Sequence, residues 1–229
     1  DGLWYHGSLQ GKLYALYAEY ELRHLVRKAP FASYVTEAYL QGKYPCEGRS
    51  LACSDVQLPP HDQAVMEKRL RRIEDKKAPL VIGMIASLTH GYKGVDVAIK
   101  AMKLLKQRNL SFEFHILGGG NVKRWQAMAA REGVSKEIIF CGTVPTHEVP
   151  FWLDDVDIYI QPSFMEGLHR ALVEAMSRGC PALGSRVCGI PELLEVNYLH
   201  QAGDWTSLAT LLQKALEDKE WRKTAAIRN

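Results

Sequence analysis

The chain has 229 residues, of which 47% are hydrophobic and 24% charged, a composition typical of a globular protein with its own core, which excludes disorder and low complexity. The formal net charge of +3 is too even to argue for nucleic acid binding. The longest uncharged apolar stretch, near 80–88, is too short to span a bilayer, so we expect a soluble protein.

The first 60 residues predict only a partial structural unit. Apolar residues recur at helical spacing from Gly11 to Arg27, and Pro30 ends that pattern. A strand at 31–35, a short helix at 37–42 and a strand at 49–56 follow, before the breaker Pro59-Pro60. The charged segment 61–76 is predicted to be a linking or covering helix, and its basic residues favour a solvated face over an anionic partner.

Residues 77–229 alternate strands with helices. The pattern predicts strands at 80–86, 111–117, 137–141, 158–161 and 181–185, and helices at 95–108, 123–133, 147–153, 168–178 and 205–221. This alternation indicates an α/β fold, a Rossmann-like parallel sheet with helices on both faces. Ligands of such sheets bind outside the carboxyl ends of the strands. The chain opens at Asp1 and stops soon after the last helix, so we expect a fragment.

The five cysteines are an odd set without C-x2-C spacing, which indicates neither a disulfide framework nor a zinc site. We therefore expect a reducing, cytoplasmic compartment. Cys188 is interpreted as a packing residue rather than a reactive thiol.

The segment 161–195 carries the most chemistry. A strand ends near Pro162-Ser163 and a helix is predicted to begin just after Glu166, so free backbone N–H groups at this turn suit an anion. Glu174 lies eight positions after Glu166, which on a helix is a rise of about 12 Å. The two acids could hold opposite ends of an extended polar ligand. Alternatively, Glu166 is a favourable first-turn acid and Glu174 a solvated helix residue.

The motif E-G-L-x-R-x-L-x-E-A-M-x-x-G at 166–179, followed by G-I-P-E-L-L at 189–194, resembles the donor-binding domain of retaining glycosyltransferases of the GT-B fold, glycosyltransferase family 4. Segments 87–96, 117–120, 140–144 and 157–163 resemble that family's other loops and strand ends, in its order. Residues 31–45 are similar to the end of the amino-terminal domain in surface-polysaccharide enzymes. The resemblance implies a remnant of the amino-terminal (acceptor) domain at 1–60, ahead of a nucleotide-sugar-binding domain at 77–229.

The resemblance also implies roles for individual residues. It assigns Glu174 to the ribose hydroxyls and Lys93 to the diphosphate. It assigns Glu166, with the backbone of Gly167 and Leu168, to the transferred sugar and its phosphate. Glu166 and Lys93 are then the catalytic candidates. The remaining donor-binding candidates are Ser87, Gly118 and Thr143.

Breaking the bond to the sugar leaves negative charge on a nucleoside diphosphate, which a lysine and a helix N-terminus stabilise, so no metal or other cofactor is expected. The Asp155-Val156-Asp157 sequence precedes a strand, at the edge opposite the ligand crevice, and is interpreted as a solvated turn rather than a metal site. The chain lacks the family's frequent arginine before the lysine, so we expect that Lys93 binds the diphosphate alone or with help from Arg170 or another basic group. Cys188 replaces a common glycine, which puts close backbone approach there in doubt.

Other features give weaker signals. The glycines 118–120 do not complete a G-x-G-x-x-G fingerprint, because Lys123 occupies the third glycine position, which disfavours a dehydrogenase. His90, His115 and His169 are each interpreted as satisfied structural histidines rather than catalytic or metal-binding groups.

The resemblance implies that the full-length enzyme transfers a sugar to a saccharide or lipid-linked acceptor, in bacterial surface-polysaccharide assembly, with peripheral association at the cytoplasmic face of the membrane. Three alternatives stay open at this point: a nucleotide-sugar epimerase, a noncatalytic nucleotide-sugar-binding module and a sugar phosphorylase. The sequence identifies neither the base, the sugar, the acceptor nor the oligomeric state.

Overall fold

A computed structural model describes residues 8–58, 62–77, 79–166 and 169–229. The amino-terminal unit contains helices α1 (Leu9–Lys28) and α2 (Tyr39–Lys43) and strands β1 (Phe31–Tyr34) and β2 (Arg49–Ala52). The two strands pair in parallel, with Tyr34 at the end of β1 opposite Ala52. Strand β2 therefore ends at Ala52, where its partner strand also ends, rather than at residue 56 as predicted. Ser8 caps α1 by accepting a hydrogen bond from the Gly11 N–H.

The larger unit begins with helix α3 (Gln63–Asp75) and alternates strands with helices as the sequence predicts. Its strands are β3 (Leu80–Ile85), β4 (Phe112–Leu117), β5 (Ile138–Gly142), β6 (Ile158–Gln161), β7 (Ala182–Ser185) and β8 (Leu199–His200). Its remaining helices are α4 (Val95–Gln107), α5 (Val122–Glu132), α6 (Val149–Asp154), α7 (Arg170–Ser177), α8 (Ile190–Leu193), α9 (Trp205–Glu217) and α10 (Lys219–Arg228).

The six strands form one parallel sheet in the order β5-β4-β3-β6-β7-β8. Numbered within the sheet, this is the 3-2-1-4-5-6 order of Rossmann folds. The chain reverses its direction of travel between β3 and β6, so the loops after these two strands separate and leave a crevice. Both strands are apolar and buried, with Ile82 of β3 paired to Phe114 and to Ile158. The predicted fold class is therefore confirmed.

Helices cover both faces of the sheet. Helix α4 packs against α5 and α9, while α6 packs against α7 and α3 against α10. The core between these layers is made of aliphatic and aromatic side chains that are fully or nearly fully buried, among them Ile82, Met84, Ile99, Met102, Phe114, Ile116, Trp125, Ile158, Leu172, Leu183 and Leu212. Within the described residues, no helix combines the length and apolar character that a membrane crossing requires.

The carboxy-terminal helical pattern is two helices rather than one. Asp218 lies between α9 and α10 with an extended backbone, and its carboxylate accepts a hydrogen bond from the Trp221 N–H. An aspartate in this position is a helix N-cap, so it starts a second helix instead of continuing the first. Trp221 packs on Tyr198, with ring centroids 5.1 Å apart.

Helix α3 is anchored to the amino-terminal edge of the sheet. The Arg69 guanidinium is 2% exposed and donates hydrogen bonds to the carbonyl groups of Leu153, Val156 and Arg178. Arg72 Nε lies 2.7 Å from Asp157 Oδ1. The prediction of a solvated basic face is therefore wrong for these two arginines, because they satisfy carbonyl and carboxylate groups that helix and strand ends leave free.

The same edge corrects the interpretation of the Asp-x-Asp sequence. Asp157 is buried and accepts hydrogen bonds from Arg72 and from the Val81 N–H at 2.7 Å. The prediction of a solvated turn holds for Asp155, whose side chain is 84% exposed, and is wrong for Asp157. Asp157 is a structural acid that joins α3 to the start of β3.

Candidate functional site

An ion pair between Lys93 and Glu166 lies at the carboxyl edge of the sheet, above the crevice between β3 and β6. Lys93 belongs to the 3-10 turn Gly91–Lys93 that precedes α4, and Glu166 follows β6. The Lys93 Nζ atom is 2.8 Å and 2.7 Å from the two carboxylate oxygens of Glu166. The structure thus brings the two predicted catalytic residues together, although 73 positions separate them in the chain.

Close packing of two loops fixes the position of Lys93. Gly94 has a left-handed backbone, with φ of +74°, and a Cβ atom there would lie only 1.9 Å from the Pro162 carbonyl oxygen. The Phe164 N–H also donates to the Tyr92 carbonyl at 2.8 Å. Only glycine permits this approach, and it sets the ammonium group over the loop that carries Glu166.

A buried polar network holds the Glu166 carboxylate, whose side chain is 4% exposed. Besides Lys93, its Oε1 atom accepts hydrogen bonds from Gln161 Nε2 at 2.7 Å and from Ser163 Oγ at 2.5 Å. The Tyr159 hydroxyl donates to Gln161 Oε1 at 2.8 Å. Sequence reasoning did not single out Gln161 or Ser163 as partners. The available signal was two polar residues, two positions apart, at the end of an otherwise apolar buried strand.

The Lys93–Glu166 pair opens into a cleft of about 480 Å³, which we call the diphosphate cleft after the ligand that the sequence resemblance implies for Lys93. Ser87 and Gly118 line it, as does His169. A Cβ atom on Gly118 would lie 2.0 Å from the Ala86 carbonyl oxygen, so a glycine is needed where the ends of β3 and β4 meet. Four of the predicted site residues therefore share this cleft.

The remaining predicted residues lie elsewhere. Gly167 and Leu168 lie outside the described residues. Thr143 is not among the described residues that line the diphosphate cleft. It lies next to Gly119, which does line the cleft, since a Cβ atom added to Gly119 would lie 3.0 Å from the Thr143 methyl group.

Glu174 lines a second cleft, of about 530 Å³, which we call the nucleoside cleft after the ribose contact that the sequence resemblance implies for Glu174. Thr146, His147 and Leu58 also line it. Helix α7 lines both clefts: its first residue, Arg170, lines the diphosphate cleft, and Glu174 lines the nucleoside cleft, which continues to Leu153 and Arg178. Burial raises the pKa of Glu174, and nearby Arg170 opposes that rise. Glu174 is thus half-buried at a cavity, which differs from the alternative of a solvated helix residue.

Arg170, the predicted second cation, has an acidic partner. Its guanidinium forms an ion pair with Asp55, and its side chain is 62% exposed. With a side chain that is 20% exposed, Lys93 is the more enclosed of the two cations that line the diphosphate cleft, while Arg170 lies at its rim.

His169 differs from its predicted role. The residue is 3% exposed, and neither ring nitrogen has a hydrogen-bond partner among the described residues. Burial lowers the pKa of His169 to about 4, with Lys93 acting in the same direction and the Glu166 and Glu192 carboxylates opposing it. The prediction of a satisfied structural histidine is therefore wrong here. His115, in contrast, contacts Glu113 at 2.9 Å.

The amino-terminal unit is joined to helix α8 by Glu192. Its carboxylate accepts hydrogen bonds from the N–H groups of Glu37 at 2.6 Å and Tyr39 at 2.7 Å, near the start of α2. Cys188, in the loop that precedes α8, has a left-handed backbone with φ of +50°. It therefore adopts the conformation that glycine allows freely, and its thiol is half-buried and unbridged.

A further cleft of about 730 Å³ lies between α4 and α5, and we call it the basic cleft. It is lined by cationic side chains, Lys100, Arg124 and Arg131, and by none of the predicted site residues. Size alone therefore does not identify the site, because the buried acid, the lysine and the histidine converge in the smaller cavity. Within the described part of the chain, no three metal-ligating side chains cluster in a geometry suited to a metal ion.

Comparison with known proteins agrees with this architecture. Residues 66–228 match the family model described as glycosyl transferases group 1, and the match begins within α3. Protein CapJ of Staphylococcus aureus is 34% identical over 231 aligned positions, which cover all of this chain and 57% of CapJ. The amylovoran biosynthesis glycosyltransferase AmsK of Erwinia amylovora is 38% identical over 144 positions, which cover 58% of this chain and 35% of AmsK. The chain thus spans little more than half the length of CapJ.

The fold also matches a solved structure. The crystal structure of Anabaena HepE in complex with UDP and glucose superposes with a TM-score of 0.71, over 93% of this chain and 61% of that one, at 20% identity. This likeness shows a shared fold. Because the family model covers well over half of the sequence, the chain belongs to the glycosyl transferases group 1 family, with the Rossmann-like carboxy-terminal domain of a GT-B fold.

Proposed function

We propose that this chain binds a nucleoside diphosphate sugar and belongs to an enzyme that transfers the sugar with retention of configuration. The observation that carries the proposal is the Lys93–Glu166 pair at the reversal point of the sheet. A part-buried ammonium in the wall of a cleft is suited to a diphosphate, because charge-assisted hydrogen bonds become stronger as water is excluded. HepE, which shares the fold, was crystallised with UDP and glucose.

The two clefts suggest how the donor lies. The diphosphate and the sugar occupy the diphosphate cleft, and the nucleoside reaches past α7 to the nucleoside cleft. Glu174 there accepts hydrogen bonds from the ribose hydroxyls; its half-buried carboxylate has no hydrogen-bond donor among the described residues, so its oxygens are open to a ligand. Ser87, Gly118 and Thr143, with the backbone at Gly167 and Leu168, complete the donor site in this proposal.

The chemistry follows from where charge develops. When the bond between the sugar and the phosphate breaks, negative charge accumulates on the leaving diphosphate and positive charge on the sugar. Lys93 stabilises the first of these and Glu166 the second, and both are already oriented by the network around Gln161. We assign the leaving-group stabilisation to Lys93 and backbone amides rather than to a metal.

The acceptor and setting are proposed by analogy with relatives. AmsK is named for amylovoran biosynthesis, which supports a role in the assembly of a bacterial surface polysaccharide with a saccharide or lipid-linked acceptor. All five cysteines are free, as expected for a reducing compartment such as the cytoplasm. We place the full-length enzyme at the cytoplasmic membrane face, where a lipid-linked acceptor would be presented.

Calorimetric titration of the purified chain with UDP, GDP, ADP and the matching nucleosides tests donor binding. The proposal predicts that one diphosphate binds and that its nucleoside binds far more weakly. If none of these diphosphates binds, the proposal is wrong. Turnover is then tested with the full-length protein, donor and acceptor: a glycoside with the donor's anomeric configuration is expected, whereas an epimerised donor would indicate an isomerase.

A further inference from the structure

His169 is an uncommon kind of buried residue. It is 3% exposed, and both of its ring nitrogens lack a hydrogen-bond partner in the part of the chain that the structure describes. The large majority of buried polar side chains in folded proteins have at least one partner. A polar group that is buried without one is therefore a place to look for a ligand that supplies the missing hydrogen bond.

The position of His169 points to the diphosphate cleft. Its side chain lines that cavity together with Lys93 and Glu166. On another side it faces the loop after β7, since a Cβ atom added to Gly189 would lie 3.6 Å from His169 Nε2 and 2.8 Å from the Thr36 methyl group. The imidazole thus lies in the wall between the diphosphate cleft and the loop after β7, with both ring nitrogens just below the surface of that wall.

The imidazole is uncharged in this environment. Burial is the main cause of its low pKa, about 4, and the ammonium of Lys93 also disfavours a second positive charge beside it. The carboxylates of Glu166 and Glu192 act in the opposite direction but do not outweigh burial. At neutral pH one ring nitrogen therefore donates a hydrogen bond and the other accepts one.

A neutral donor and acceptor pair suits a hydroxyl group better than a phosphate. A phosphate offers only acceptors and favours a charged partner, which Lys93 already provides. A sugar hydroxyl both donates and accepts, so it can satisfy either ring nitrogen. Glu166, the neighbouring acid, is already engaged by Gln161 and Ser163, whereas the imidazole is a buried polar group of the cavity wall whose two nitrogens have no partner among the described residues.

We propose that His169 hydrogen-bonds a hydroxyl of the sugar carried by the nucleotide donor and thereby contributes to the choice of sugar. This inference rests on the proposed donor site and goes beyond it, because it assigns recognition of the sugar, rather than of the diphosphate or nucleoside, to one side chain.

Calorimetry with matched ligands tests the inference. UDP and GDP, together with UDP-glucose, UDP-galactose, UDP-N-acetylglucosamine and GDP-mannose, are titrated into the wild-type protein and the His169→Leu variant. We expect the best sugar nucleotide to bind about fivefold to tenfold more weakly to the variant, and the matching diphosphate to bind within about twofold of wild type. His169→Asn, which retains a donor and an acceptor, should recover part of the loss.

His200 provides a matched control. It is also 3% exposed and its pKa is also lowered by burial, but it is not among the described residues that line the diphosphate cleft. His200→Leu should change thermal stability without changing the ratio of sugar-nucleotide to diphosphate affinity. Thermal unfolding of each variant shows whether it is folded at the temperature of titration.

The outcomes separate the two proposals. Suppose that wild type binds UDP or GDP. If His169→Leu then weakens the binding of the diphosphate and of its sugar nucleotide equally, or weakens the binding of neither ligand, the inference is overturned and the donor site stands. The inference is also overturned if wild type binds no sugar nucleotide in the panel more tightly than the matching diphosphate. If wild type binds no nucleotide at all, the proposed function fails and the inference fails with it.

Discussion

Replacing Glu166 with glutamine removes one charge from the centre of the site while keeping its shape. In the structure Glu166 holds the Lys93 ammonium with both carboxylate oxygens, at 2.8 Å and 2.7 Å. A diphosphate must share or displace that interaction, and it must also approach the carboxylate. Glu166→Gln retains an oxygen that can accept from Gln161 and Ser163 but removes the negative charge that competes for Lys93.

The size of the effect can be worked out from Coulomb's law. A phosphate oxygen at about 2.8 Å from Lys93 Nζ would lie on the order of 5 Å from the nearer Glu166 oxygen. Two unit charges at that distance repel by about 3 kcal/mol at an effective dielectric constant of about 20. Solvent entry and rearrangement of Lys93 reduce this figure, so we expect a gain of about 1–2 kcal/mol, or roughly tenfold tighter binding of the nucleoside diphosphate.

Calorimetric titration of UDP and GDP into both proteins, at constant ionic strength, measures this gain. Glu174→Gln is the matched control, because it also removes one carboxylate but in the nucleoside cleft, where we expect weaker binding. Sugar transfer by the full-length Glu166→Gln protein should fall even as diphosphate binding tightens. Unchanged or weaker diphosphate binding by Glu166→Gln would show that the Lys93–Glu166 pair is not at the anion site.

Three further predictions concern the scaffold around the site. Arg69→Met leaves buried carbonyl groups unpaired and should lower the free energy of unfolding, measured by urea titration, by about 3–5 kcal/mol. The control Arg71→Met, at a side chain that is 75% exposed, should change it by less than about 0.5 kcal/mol. Equal losses in the two variants would contradict the anchoring role of α3. Gly94→Ala should lower the free energy of unfolding by at least about 3 kcal/mol and should weaken UDP binding. The control Gly133→Ala also has a positive φ, +75°, but no atom lies within 4 Å of its new Cβ, so it should lower the free energy of unfolding by only about 1 kcal/mol. Similar losses in the two variants would refute the steric argument. Because the unfolded chain takes up a proton at His169 that the folded chain does not, stability should fall by about 3 kcal/mol as the pH drops from 6.5 to 4; a His169→Leu variant with an equally steep fall would contradict this.

Periodicity in the sequence was sufficient to predict the fold of the larger unit. The strands are continuous apolar runs and the helices have separate apolar faces, so element type and order follow from local pattern. Element ends were harder to predict because tertiary partners decide them. Strand β2 ends where β1 ends, and the last helix divides at Asp218 because a side-chain cap starts a new one.

The site could be predicted only as far as motifs extend. The resemblance brought Lys93 and Glu166 into one proposal, and the structure places them in contact. The state of His169 could not be predicted, because a sequence does not show whether a buried imidazole finds a partner. The burial of Arg69 and Asp157 was missed for a related reason: charged residues on a polar helix or turn suggest solvent until a sheet edge is known to lie against them.

The central claim is that Lys93 binds the diphosphate of a nucleotide donor. The most direct measurement is the affinity of UDP or GDP, whichever binds, for wild type, Lys93→Ala and Lys100→Ala, with the corresponding nucleoside titrated alongside. Lys100 lies in the basic cleft, so its variant matches the change in net charge. We predict that Lys93→Ala weakens the binding of the diphosphate by about tenfold to a hundredfold and leaves the binding of the nucleoside almost unchanged. The Lys100→Ala variant should bind both ligands almost as wild type does. Equal weakening by both lysine variants, or equal loss of nucleoside and diphosphate, would contradict the account.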